Sequence, residues 1–426
     1  MRSVLRARLP LAGLTTGAML LGAPIGVATL LHVVPARAQG PAQPLQRDVG
    51  KPLEKAKELA AQKDFSGAMA QIDDAEHARH KTAEENFVIE EMRASVAQQS
   101  GDYKTAIAAD DELLNTGKLG RADQQRLLMA EASSNYQLHD YAGTIKAIDR
   151  YQQAGGTDPS LTQLKIQCYY LLKDYPHAAA EQSAQIEAEI KANKVPPEQQ
   201  LQLLASCQIQ TKDAAGLTRT MTHLVEYYPK PDYWAQLLHG LRADPNVPDR
   251  LEFDVDRLRL AVGLLTSTAD FMDMTERAVQ DGLPAHALAI MNRGYATGAL
   301  GTGSEAPREA RLKALVEHTI ASRKASLAAD ITAARKSNDP NALLSVGYTA
   351  TDLGENAQGI AQGIAMMREA ITRGGLVAPY DAMLHLGLAY LDANDKASGI
   401  AALRAVGGGG PAEELAHLWL LRIGAH

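Results

Sequence analysis

From about residue 52 onward, apolar residues return every three or four positions through a background of Ala, Leu, Gln, Glu and Lys. That spacing puts them on one face of an α-helix, so helix is predicted almost throughout. Breaks in the pattern carry a short recurring motif. It reads Lys63-Asp64-Phe65-x-x-Ala68, Gly101-Asp102-Tyr103-x-x-Ala106 and His139-Asp140-Tyr141-x-x-Thr144. It continues as Lys173-Asp174-Tyr175-x-x-Ala178 and, weaker, as Lys212-Asp213-Ala214-x-x-Leu217. The aspartates lie 38, 38, 34 and 39 residues apart. A period of this length, with one turn per period and helix on both sides, signals stacked helical hairpins. The Asp and its small or polar predecessor close one helix and cap the next. The aromatic residue plugs the base of the hairpin, and the small residue three positions on lets the paired helices approach.

The phase outlasts the motif. Asp213 to Leu283, in Gly282-Leu283-Pro284-x-x-Ala287, is 70 residues, and Leu283 to Glu355, in Gly354-Glu355-Asn356, is 72. Glu355 to Asp395, in Asn394-Asp395-Lys396, is 40. Read as one or two periods each, these intervals bring the count to ten hairpins, two of them resting on phase alone. Within 304–337 neither Gly nor Pro occurs after Pro307, which leaves room for one long helix in place of a hairpin.

Two stretches sharpen the repeat type. One is Trp234-x-x-Leu237-x-x-x-Leu241, with Leu238 where a glycine is usual; the other is Leu386-Gly387-x-x-Tyr390 with its turn at Asp395. Pro229 and Pro411 stand at repeat-closing positions. On these residues the chain from about 52 to 411 resembles the tetratricopeptide repeat family. Gly359-x-x-x-Gly363 is similar to the related Sel1-like repeat. The resemblance implies an all-α fold, an α-solenoid of stacked antiparallel helical hairpins. It divides the chain into an N-terminal array over 52–230, degenerate helical repeats over 231–338 and tetratricopeptide or Sel1-like repeats over 339–411. A capping helix is expected within 412–426, where Leu415, Leu418, Trp419 and Arg422 recur at helical spacing.

The amino terminus is different. Residues 1–38 carry Arg2, Arg6 and Arg8, an apolar run from Leu9 to Val34 and the ending Pro35-Ala36-Arg37-Ala38. This describes a secretory signal peptide cleaved between Ala38 and Gln39, with an uncleaved anchor as the alternative. No Cys precedes Cys168, so no thiol is available there for an acyl anchor. Residues 39–51 are Gly-, Pro- and Gln-rich and read as a linker. The whole chain of 426 residues carries 43 basic and 50 acidic residues, net −7. Residues 1–38 hold four Arg and no acid, so the exported form keeps 39 basic residues against 50 acidic, net −11. That balance excludes a nucleic-acid groove, which needs a Lys/Arg surface. Four Phe and two Trp are too few for a β-sandwich or barrel of this length.

Catalytic signals are scarce, and no enzyme activity, cofactor or metal is expected. Glu76-His77-Ala78-Arg79-His80 sets two imidazoles three apart on one helix face, half of a metal site, but no third ligand is near and a solvated helix end is preferred. Gly294-x-x-x-Gly298-Ala299-Leu300-Gly301-Thr302-Gly303 lacks the preceding strand and following Lys-Ser/Thr of a phosphate loop and reads as an inter-repeat loop. The adjacent acids Asp73-Asp74 and Asp110-Asp111 point different ways on a helix and read as a solvated face. Cys168 and Cys207 each precede a motif lysine by five residues and so occupy equivalent places in consecutive repeats. Neighbouring repeats are offset by about 10 Å, beyond the roughly 7 Å that a disulfide tolerates. Two buried free thiols are predicted.

The tetratricopeptide resemblance implies a ligand in the concave groove lined by first helices. It places there Gln98 with Glu91, Ser95 and Gln99, then Arg126, Tyr136, Met129, Ser133 and Gln137. Gln163, Gln167 and Tyr170 follow, then Gln202 with Gln199, Ser206 and Gln210. No Lys/Arg/Asn clamp for a peptide carboxylate occurs at these positions, so an extended neutral peptide or a glycan-bearing partner fits this surface better. The implied role is an exported scaffold or adaptor mediating protein–protein contacts in the bacterial cell envelope, in the periplasm. A structural part of a polysaccharide synthesis or export complex is the alternative. Membrane contact is expected only if the N-terminal segment stays uncleaved.

Overall fold

A computed structural model describes residues 44–425. The proposed signal peptide and the start of the linker lie outside the described residues. The chain divides into two compact units, the first ending at Asp213 and the second beginning at Ala214.

The first unit is a succession of helices: α1 (Arg47–Ala61), α2 (Phe65–Glu76), α3 (Ala83–Ser100), α4 (Tyr103–Asn115) and α5 (Arg121–Gln137). It continues with α6 (Tyr141–Gln153), α7 (Pro159–Leu171), α8 (Tyr175–Lys191) and α9 (Glu198–Thr211). Each turn of the recurring motif is built the same way. The residue before the Asp is left-handed, with φ of 63° at Lys63, 81° at Gly101, 58° at His139 and 61° at Lys173. This bend lets the Asp64 and Lys63 amides donate to the Leu59 and Ala60 carbonyls, and Asp140 and His139 repeat the pattern on Asn135 and Tyr136. The Asp side chain then caps the next helix by accepting from the amide three residues on, Gly67 for Asp64 and Gly143 for Asp140. Ala68, Ala106, Thr144 and Ala178 are fully buried, as close pairing requires. The unit is a stack of tetratricopeptide-like hairpins.

Three sequence expectations need correction here. Helix α1 begins at Arg47, inside the stretch read as linker, because burying Val49, Leu53 and Ala56 outweighs Gly50 and Pro52 as helix breakers. Helix α2 ends at Glu76, so His77 and His80 share no helix face; His80 is left-handed at φ 59°. Asp110 is buried rather than solvated, while Asp73 and Asp74 are exposed. Asp73 and Asp111 also do more than face water, as described below.

The second unit holds α10 (Ala214–Tyr227), α11 (Pro231–Ala243), a single 3-10 turn, α12 (Glu252–Ala261), α13 (Thr268–Gln280) and α14 (Pro284–Ala296). Then come α15 (Ala306–Ser337), α16 (Pro340–Asp352), α17 (Ala357–Arg373), α18 (Pro379–Asp392), α19 (Lys396–Arg404) and α20 (Pro411–Arg422). A single helix of 32 residues, α15, occupies the segment that lacks breakers. Helices α16 and α17 pair tightly around Gly347 and Gly363; a Cβ at Gly363 would sit 2.7 Å from the Gly347 carbonyl oxygen. Gly359 has no such neighbour, its nearest atom standing at 3.5 Å. Helix α20 packs on α18 and α19 and also reaches α10 and α12. The Arg422 guanidinium donates to the Ala261 carbonyl at 2.9 Å. Leu415, Leu418, Leu420 and Leu421 are all buried, while His417 and Arg422 are exposed. The second unit closes on itself.

Candidate functional site

In the first unit the residues read as a groove lie on alternate helices: Gln98 on α3, Arg126 and Tyr136 on α5, Gln163, Gln167 and Tyr170 on α7, and Gln202 on α9. All are half-buried except Arg126, which is exposed. Two of them tie neighbouring first helices together. The Ser134 hydroxyl donates to Gln98 Oε1 at 2.9 Å, joining α5 to α3, and Tyr170 Oη meets Ser206 Oγ at 3.1 Å, joining α7 to α9. Arg126 pairs with Glu91 at 3.9 Å and Asp123 at 3.5 Å. The rings of Tyr136 and Tyr170 pack on the motif aromatics Tyr141 and Tyr175, centroids 5.8 and 5.5 Å apart. Gln163 Oε1 is buried with no hydrogen-bond partner among the described residues. The strip therefore offers amides and phenols, and its tyrosines are held by the fold beneath them.

Sequence reasoning missed a ladder of charges in the same unit. Arg93 donates to Asp73 at 2.7 Å; Arg150 lies 3.1 Å from Asp111 and 2.9 Å from Glu131; Lys165 is 2.9 Å from both Asp149 and Glu181. The signal was present. Asp73, Asp111 and Asp149 recur at intervals of 38, the repeat period itself. Beside the ladder, burial and the Glu131 charge push the Asp110 carboxyl up to about 7. Cys168 and Cys207 are free and fully buried, and burial pushes both thiols up to about 12.

The second unit contains a buried polar cluster that joins α12, α14, α16 and α18. Its centre is Arg257, 7% exposed, which donates to Asp392 at 2.7 Å and to Tyr348 Oη at 3.0 Å. The Asp352 side chain, fully buried, accepts from the Ala285 and His286 amides at 2.8 and 2.9 Å, so it caps the start of α14 from across the unit. His286 stands between two carboxylates, Nδ1 at 2.5 Å from Asp352 and Nε2 at 3.1 Å from Asp392. His385 stacks on Tyr348, centroids 4.9 Å apart, with Nε2 at 2.8 Å from Asp254 Oδ2. The other Asp254 oxygen is buried without a partner among the described residues. Arg250 pairs with Asp381 at the edge.

These charges decide one another's protonation. Burial alone would raise Asp392, but the Arg257 guanidinium and His286 hold it down to about 2. Burial likewise opposes the charged form of His286, and its hydrogen bonds to Asp352 and Asp392 overcome this and hold it above the ordinary imidazole value. The same balance, with Asp254 as partner, raises His385. No sequence motif announces the cluster, because its hydrogen-bonded pairs between helices are separated by 66 to 135 residues. The one local hint is charge inside a core run, Phe253-Asp254-Val255-Asp256-Arg257-Leu258, all six of which are buried.

Among the described residues no group of three or more His, Cys, Asp or Glu side chains is placed to hold a metal ion. Nor is any described helix long and apolar enough to cross a membrane. No family model matches the chain and no curated protein matches it. Among solved structures, the chain is similar to the TPR2AB domain of yeast Sti1 in complex with an Hsp90 peptide, at 16% identity over 63% of this chain and 98% of that one, TM-score 0.32. It is similar to the Naa15/Naa10 assembly bound to HypK at 15% identity over 86% of this chain and 65% of that one, TM-score 0.30. Yeast Tom70 is a third, at 11% identity over 88% and 95%, TM-score 0.25. The fold rests on the hairpins themselves: left-handed bend, Asp cap, aromatic plug and buried small residue, repeated in phase.

Proposed function

We propose that this chain is a non-enzymatic helical-repeat adaptor exported to the bacterial cell envelope, where the first-helix strip of the first unit grips an extended segment of a protein partner. The observation that carries this reading is the side-by-side placement of half-buried amides and phenols on α3, α5, α7 and α9, tied by the Ser134–Gln98 and Tyr170–Ser206 contacts. An extended peptide exposes alternating amide and carbonyl groups, and primary amides satisfy both. Tyrosine rings add flat apolar area at little entropic cost. Export rests on residues 1–38, and a mature chain beginning at Gln39 is its consequence.

The test is capture of a specific partner from an envelope extract, repeated with Tyr136, Gln167 and Tyr170 changed to Ala. Loss of the partner, with the helical circular-dichroism spectrum kept, supports the strip. Undiminished capture by the triple variant would show that binding lies elsewhere.

A further inference from the structure

His286 has both ring nitrogens against carboxylate oxygens, Nδ1 on Asp352 and Nε2 on Asp392. An ionised carboxylate only accepts hydrogen bonds, and a neutral imidazole carries one N–H. Both contacts are attractive only when the ring carries two protons. Neither carboxylate is free to supply the missing one. Asp352 is committed to the Ala285 and His286 amides, and Asp392 to the Arg257 guanidinium.

We propose that His286 is a proton-operated clasp of the second unit, joining α14 to α18 when its ring is doubly protonated and releasing α18 when it is neutral. The direction of release follows from the two distances. The Asp352 contact is the shorter, at 2.5 Å, and lies beside that residue's two backbone bonds, so a neutral ring keeps its remaining proton on Nδ1. Nε2 then turns a bare lone pair toward Asp392, which retains only Arg257 among its ties to other helices. The His286 side chain is 27% exposed and that of Asp392 38%, so protons exchange with solvent without unfolding.

The charged groups acting on the ring come from three elements: Arg257 of α12, Asp352 of α16 and Asp392 of α18. Helices α13 and α15 also pack on α14 and carry Asp270, Asp273, Glu276, Glu309, Glu317 and Asp330. Asp270 is paired with Arg259, Glu276 with Arg308, Glu309 with the Gly301 amide and Asp330 with the Ser326 hydroxyl, and none of the six is among the charges that shift His286. His385 differs in kind. Only its Nε2 meets a carboxylate, Asp254, and a neutral ring protonated on Nε2 keeps that bond. On losing a proton His286 therefore gives up one of its two carboxylate contacts, whereas His385 keeps its single one. A group whose native state holds the proton more tightly contributes fully at low pH and loses its contribution as pH rises through the native midpoint.

The experiment uses the full chain and follows the ring nitrogens of His286 by NMR across pH 5 to 9. Two protonated nitrogens at pH 6 and a midpoint above the ordinary value of 6.5 are expected. A midpoint at or below 6.5, or a singly protonated ring at pH 6, overturns the proposal. Urea unfolding of the second unit gives an independent reading through its two tryptophans, Trp234 and Trp419. Between pH 6 and 9 the wild type should lose stability, seen as a falling urea midpoint, relative to His286→Gln, whose amide does not titrate. Parallel pH profiles for wild type and variant overturn the proposal.

Discussion

Two alanine substitutions four residues apart on α17 should move stability in opposite directions. At Gly359 a Cβ would find its nearest atoms at 3.5 and 3.7 Å, ordinary contact distances. Alanine there gains up to about 1 kcal/mol of helix propensity, less near the helix start, so a stabilisation of roughly 0.5 kcal/mol is expected. At Gly363 the same Cβ would lie 2.5 Å from the Thr351 amide nitrogen and 2.7 Å from the Gly347 carbonyl oxygen, and closer still to Thr351 Oγ1. The first two are backbone atoms of α16 and cannot rotate away. Ordinary contact begins near 3.4 Å, so α16 and α17 must part by about 0.7–1 Å. Ile364, Met366, Met367 and Ala370 are buried on the same helix and would loosen with it. Overpacking of this kind costs about 1–3 kcal/mol against a propensity gain of up to about 1 kcal/mol, a net loss of up to about 2 kcal/mol. Both tryptophans of the chain, Trp234 and Trp419, lie in the second unit, so their fluorescence during urea titration reports that unit alone. At constant m-value the midpoint should fall for Gly363→Ala and rise slightly for Gly359→Ala. Equal midpoints, or a more stable Gly363→Ala, would refute the claim that close backbone approach pairs these helices.

Other outcomes follow from the same geometry. Replacing the left-handed residues His139 and Lys173 by Gly relieves strain of about 1 kcal/mol at each, partly offset by glycine's greater freedom in the unfolded chain. Thermal unfolding by circular dichroism should shift upward, whereas Asp140→Ala should lower stability by about 1 kcal/mol through the lost cap. Asp110 titrates near 7 in the folded chain, so it holds a proton that the unfolded chain has lost between its ordinary 3.8 and that value. Stability of the first unit should therefore fall as pH rises from about 4 to 7, and Asp110→Asn should flatten that slope. Asp392 has the opposite sign: its contribution is present above about 4 and lost as pH falls toward 2, an acid limb that Asp392→Asn should remove. Cys168 and Cys207 should resist thiol reagents in the native protein and yield two free thiols after denaturation without reductant.

The first unit was legible because each residue of its turn motif has one local job. Asp64 caps, Lys63 bends and Ala68 admits the partner helix, and the same three jobs return at 102, 140 and 174. Pro52 and Gly50 misled at the start of α1, since breaker signals say nothing of the tertiary burial that Val49 obtains. The second unit was legible in phase but not in chemistry. At α14 Leu283 stands where the motif has its capping Asp, and the carboxylate that serves the helix start comes from Asp352, 67 residues beyond the Ala285 amide that donates to it. Such long-range capping leaves no periodic trace. The residues assigned to the groove by family resemblance lie on α3, α5, α7 and α9, and Gln98 and Tyr170 also bond between these helices, a use that spacing alone does not reveal.

The central claim is that the first-helix strip of the first unit holds a protein partner. Site-specific photo-crosslinking in envelope-bearing cells tests it most directly, with the reactive group placed in turn at Gln167 on α7 and at the exposed Lys146 on the second helix α6. The account predicts a discrete protein adduct from position 167 and none from 146. An adduct from 146 alone, or equal adducts from both, would contradict it.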